Sequence, residues 1–153
     1  MHYCFIAQSA TGRECGICEF GCFITGVNHF QSAARRLHGR EHVHFVCRVV
    51  DNEHEVDGKA IMVIFDDGAQ FGWLPSQILS VLIPLMNDDH ATLFGQTIGV
   101  QKLKAYVPCS VSVVLTQESV DGRSIEGIHA DIQNGARRVL ADSPGFSVMN
   151  SSR

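Results

Sequence analysis

Hydrophobic and polar positions alternate with a period of two along much of the chain, and this pattern predicts a sheet. EHVHFVCRVV (41–50) is the clearest case. Val43, Phe45, Cys47 and Val49 share one face of a strand, and His42, His44, Val46 and Arg48 share the other. CFITGVNHF (22–30) reads as a strand opening, with Gly26 as a bulge. KAIMVIF (59–65) is apolar on both faces, as suits a central strand, and Asp67-Gly68 marks a hairpin turn into AQFGWL (69–74). Two further strands are read over 92–100 and 106–116. In the second, Val107, Cys109, Val111, Val113 and Leu115 alternate with mostly small or polar residues.

Helical spacing occurs in fewer places. QSAARRLHG (31–39) fits one or two turns ending at Gly39. Over 74–89, Ile78, Leu79, Leu82, Leu85 and Met86 make an apolar stripe, Pro75 suits the first turn, and Pro84 is expected to kink or end the helix. Ile125, Ile128, Ile132, Val139 and Leu140 repeat at helical spacing over about 123–141, weakened by Gly127 and Gly135 and stopped by Asp142-Ser143-Pro144-Gly145. The fold class expected is mainly β with two helices (α+β), an OB-like or SH3-like antiparallel barrel flanked by helices. Residues 1–20 lack a clean period and read as an N-terminal extension. The barrel domain is assigned to 21–147 and a disordered tail to 148–153.

Composition narrows the class. Of 153 residues, 45% are hydrophobic and 18% charged, which excludes wholesale disorder. No apolar run approaches a membrane span, so no membrane partner is expected. MHYCFIAQSATGR has no basic start followed by a long apolar run, so no secretory leader is expected. An intracellular location follows as the expectation, in cytoplasm or nucleoid, or in the nucleus of a eukaryote. The net charge is −4, whereas a protein that coats duplex DNA carries a basic excess. Any nucleic-acid site is therefore local, near Arg35, Arg36 and Arg40 or near Lys102 and Lys104. The window 51–100 is the most acidic, with one lysine among eight carboxylates.

Six cysteines without a leader read as reduced thiols, with Cys47 and Cys109 as small core residues. Cys15, Cys18 and Cys22 are weak zinc candidates, with Cys4, His2 or His29 as a fourth ligand, because the second pair of a zinc half-site is missing. His42 and His44 also share a strand face, without a third ligand. No nucleophile elbow or phosphate loop occurs. No enzyme activity and no cofactor is expected.

Three stations occur in order: Gly26-Val27-Asn28-His29-Phe30, then Val56-Asp57-Gly58-Lys59-Ala60-Ile61, then Phe71-Gly72-Trp73-Leu74-Pro75 opening an apolar helix. This set, over roughly 20–147, resembles the HIRAN domain. The resemblance implies an OB-like barrel that holds 3′-hydroxyl ends of single-stranded DNA in DNA repair, beside helicase or nuclease modules. It implies Asp57 as acceptor for the terminal hydroxyl. It also implies His29, Phe30, Trp73 and Tyr106 as flat surfaces for bases, and Arg48, Lys59, Lys102 and Lys104 for the last phosphates. Flat side chains hold bases without reading sequence, and a carboxylate accepts a hydroxyl hydrogen yet repels a phosphate. Here His54-Glu55-Val56 replaces the family's Asn-Pro-aromatic, removing a stacking surface and an amide, and Glu53 and Glu55 add negative charge.

Plainer readings stand beside these. Asp57 before Gly58 suits an ordinary turn, Phe30 suits the core, and Trp73 suits a seal between barrel and helix. Two other functions compete: a barrel of the same type serving as a protein-interaction domain without DNA binding, and a metal-dependent hydrolase.

Overall fold

The computed structural model describes residues 2–8, 14–55, 57–87, 91–99, 106–115, 119–120 and 123–142. Seven antiparallel strands form one sheet: β1 (His2–Gln8), β2 (Glu14–Ile24), β3 (His44–Asp51), β4 (Lys59–Ile64), β5 (Gln70–Trp73), β6 (Ala91–Thr97) and β7 (Val107–Leu115). Their order is β1-β2-β7-β6-β3-β4-β5. β8 (Ser119–Val120) and β9 (Arg123–Ser124) make a separate small hairpin. Among the described residues three α-helices occur: α1 (Gln31–Leu37), α2 (Ser76–Asn87) and α3 (Ile125–Asp142).

The sheet curls until its far edge meets the end of β2. Thr25 and Trp73 exchange both backbone hydrogen bonds, at 2.8 and 3.0 Å. Six strands thus close into a ring, and β1 extends the sheet from the earlier part of β2. Gly72 makes the closure possible: a Cβ there would run into the Ile24 side chain and lie 2.9 Å from the Thr25 carbonyl oxygen. The mainly β barrel of the sequence reading is the observed architecture, with three helices rather than two because 31–37 forms a full element.

Several elements differ from expectation. Residues 1–20, read as an extension, supply β1 and most of β2; His2 to Gln8 pair with Phe20 to Glu14. Gly16 and Gly21 interrupt the alternation there, yet Cys18, Phe20, Cys22 and Ile24 all turn inward. The strand expected over 22–30 stops at Ile24. Gly26 is not a bulge but a left-handed residue, φ 72°, leading into a 3₁₀ turn over Val27–His29. Pro84 neither ends nor breaks α2. Pro84 and Ser80, four residues earlier, are both exposed, so water can satisfy the carbonyl that the missing N–H leaves free. The tail assigned to 148–153 lies outside the described residues.

Strand faces follow the predicted alternation. Phe45 is buried while His44, Val46 and Arg48 are exposed, and the five inward positions of β7 are buried. Inside, Phe71 stacks on Phe65 at 4.2 Å and meets Phe45 edge-on at 6.0 Å. Leu79 and Leu82 of α2 and Ile128 and Ile132 of α3 complete the core. Ser124 caps α3 through the Gly127 N–H at 3.2 Å. Gly135, a weak helix former, is where α3 comes close to α2: a Cβ there would sit 2.7 Å from Ile78 Cδ1.

One buried ionisable group on α3 makes stability pH-dependent. His129 is buried, and its Nε2 has no hydrogen-bond partner among the described residues. Burial holds its pKa below the ordinary histidine value, opposed by the nearby Glu126 carboxylate. The unfolded chain therefore takes up a proton before the folded one does, so stability falls as pH drops below the ordinary histidine range. Thermal midpoints measured from pH 7.5 to 5 should decline, and His129→Leu should flatten that slope.

Candidate nucleic-acid interface

The ring closure creates a groove on the outer face of the barrel. Phe23 and Thr25 continue the outward positions of β2, and Trp73 lies opposite Thr25, so all three present side chains to one side. Ala60 of β4 adds to the floor. The turn after β3 supplies Asn52 and Glu55, the entry to α2 supplies Leu74, Pro75, Ser76 and Gln77, and Tyr106 and Val139 complete an open groove of about 350 Å³.

The turn wall is tightly built. Asn52 N–H donates to the Gly58 carbonyl at 2.8 Å, and Gly58 N–H donates to the Glu55 carbonyl at 3.0 Å. The Asn52 side-chain oxygen accepts from His54 N–H at 2.9 Å, a local turn that asparagine favours. Glu55 reaches across to the start of α2, where Ser76 Oγ donates to its Oε1 at 2.9 Å. This bond ties the two walls together.

The residues singled out from sequence fall into three groups. Trp73 and Tyr106 line the groove; Trp73 is half-buried and Tyr106 is 56% exposed. His29 stands near Trp73: its ring and the indole both flank Gly26, 3.7 and 3.3 Å from where a Cβ would be. The positive φ at Gly26 permits the turn, and the missing side chain leaves room for both rings. Arg48 shares the face, since it pairs with Met62, which in turn pairs with Trp73.

A second group is differently placed. Phe30 is half-buried and packs against the hydrophobic core, as its plainer reading has it. Lys59 is half-buried and paired with Asp51 at 3.0 Å. Asp57 is exposed, and its carboxylate has no partner among the described residues, but it does not line the groove. The acid in the wall is Glu55. Lys102 and Lys104 lie outside the described residues.

The third group comprises the metal candidates. Cys18 and Cys22 are both buried on β2, four residues apart, hence roughly 13 Å by strand rise, too far to share an ion. The side chain of Cys15 is outside the described set. His42 precedes β3 with φ 51°, off the strand that carries His44. Among the described residues no three His, Cys, Asp or Glu side chains gather to hold a metal. Cys109 pairs in register with Cys22 inside the barrel, and burial pushes its thiol well above the usual cysteine range, as for a neutral core residue.

Sequence reasoning passed over Phe23, Asn52 and Ser76. Phe23 is the outward partner of Thr25 by simple alternation, and that spacing could have found it. The groove carries Glu55 as its one charged lining residue among those described.

No family model and no curated protein matches this chain. Among solved structures it is similar to the HIRAN domain of human HLTF in a crystal structure. The TM-score is 0.59 at 13% identity, over 76% of this chain and 88% of that one. An NMR structure of the HLTF HIRAN domain in its DNA-bound conformation aligns with TM-score 0.48 and 14% identity, over 78% of this chain and 86% of that one. The likeness to the crystal structure is one of fold, and it agrees with the OB-like barrel expected from the sequence.

Proposed function

We propose that the protein is a non-catalytic DNA-binding module whose groove takes the 3′-hydroxyl end of a single strand. The observation that carries this reading is the groove itself, walled by Phe23, Trp73 and Tyr106 with His29 beside it. Flat rings around an open slot suit unpaired bases, which stack on any aromatic face irrespective of sequence. The HIRAN-like fold and the three ordered stations support the same reading. The HLTF HIRAN domain has a DNA-bound conformation, which is said of that protein.

The charge pattern sets where the strand runs. Glu55 repels phosphate within the groove. The bases therefore enter and the backbone stays outside, toward Arg48 and, in this reading, Lys102 and Lys104. Asp57, exposed on the turn that forms one wall, is the acceptor for the terminal hydroxyl.

Titration of labelled oligonucleotides ending in 3′-hydroxyl or 3′-phosphate tests this. The hydroxyl end should bind about tenfold more tightly, the worth of one charge-assisted hydrogen bond. Asp57→Ala should erase the difference. Equal affinity for the two ends removes end recognition, and no binding at low salt removes DNA as the ligand.

A further inference from the structure

We propose that the same groove binds the ammonium group of a lysine side chain presented by a partner protein. This inference does not depend on DNA binding.

Three features of the groove converge on a cation. Phe23, Trp73 and Tyr106 line it, and the negative quadrupole of an aromatic ring attracts a positive group. Glu55 is the single charged residue among the described lining residues, and no lysine or arginine stands among them to balance it. On the turn itself Glu53 and Asp57 lie exposed, and the nearby Lys59 is paired with Asp51, while Arg48 stands farther along the row that runs from Trp73 through Met62. Among the described residues the lining thus combines aromatic side chains with one carboxylate, the pair of groups that holds an ammonium.

The geometry favours lysine over arginine. Ser76 Oγ occupies Oε1 of Glu55, and Oε2 has no hydrogen bond among the described residues. An arginine fork pairs best with both oxygens of a carboxylate, whereas an ammonium is a point charge that one oxygen satisfies. Ala60, Leu74, Pro75 and Val139 supply the apolar surface that a four-carbon stem covers.

Trp73 is the only tryptophan of the chain, so its emission reports occupancy of the groove. The probe is a short neutral peptide with one central lysine, compared with the same peptide carrying norleucine or arginine there. The lysine peptide should change Trp73 emission saturably and, where single-stranded DNA binds, displace it. Affinity should fall at least tenfold with norleucine and in Glu55→Gln, which keeps an oxygen for Ser76. The thermal midpoint of Glu55→Gln should match the parent, so that loss of binding is not loss of fold. No saturable change at millimolar peptide, equal binding of the norleucine peptide, or tighter binding of the arginine peptide would overturn the inference. DNA binding without lysine binding overturns it and leaves the DNA reading standing; lysine binding without DNA binding does the reverse.

Discussion

Gly95→Ala should unfold the protein more readily than any surface change, lowering stability by about 3 kcal/mol and the thermal midpoint by roughly 10 °C. Gly95 lies in the middle of β6, paired with Phe45 on β3 and Val111 on β7. A Cβ at this point would collide with the Ser110 carbonyl oxygen and sit 2.7 Å from Phe45 Cζ. The first neighbour is backbone in a hydrogen-bonded ladder and cannot turn aside. The second is a fully buried ring that meets Phe71 edge-on, so moving it disturbs the core beyond it. Differential scanning calorimetry of Gly95→Ala reads the effect, and an unchanged midpoint would mean that β6 and β7 do not approach this closely. The partner control is Gly99→Ala, where no atom lies within 4 Å of the new methyl and only the positive φ of 74° is strained. Its loss should be clearly smaller.

Trp73→Ala should abolish most single-strand affinity, by a factor of roughly 10 to 100, the worth of one stacked base. Trp73 lines the groove, its indole 3.3 Å from where a Gly26 Cβ would be, and stands on the row that runs through Met62 to Arg48. The barrel closure at this residue uses backbone N–H and carbonyl groups, which alanine retains. Folding and binding can therefore be separated: a midpoint that falls only modestly together with a large loss of affinity assigns the indole to the ligand. Trp73→Phe should recover part of the affinity because a smaller flat face remains. Full affinity in Trp73→Ala would mean that the groove is not where the strand binds.

How legible was this in the amino-acid order? The strands of the barrel read well wherever one face is buried and the other wet, as in β3 and β7, because a period of two is then imposed on every side chain. The helices α2 and α3 were legible for the same reason at their own period. β1 and the first half of β2 were not, since glycines and cysteines carry little contrast between inside and outside. Pro84 does not end α2, since the carbonyl it frees, on Ser80, is on an exposed residue where water can satisfy it, and exposure is a property of the packed molecule. Of the residues singled out in the sequence, Trp73 and Tyr106 line the groove and His29 stands near Trp73 across Gly26. Phe30 turned to the core, and the acid in the wall is Glu55 rather than Asp57. A turn of seven residues can present any of its side chains inward, and the choice here falls to the Asn52 and Ser76 hydrogen bonds.

Local chemistry along the chain settles which segments extend, which coil and where they reverse, because those outcomes depend on neighbours a few residues away. Which rings end up side by side is another matter. Phe23, Trp73 and Tyr106 come to line one groove only because the sheet curls until Thr25 and Trp73 bond, and that contact joins positions 48 residues apart. Closure of this kind is an outcome of the whole core packing at once, and no local pattern encodes it.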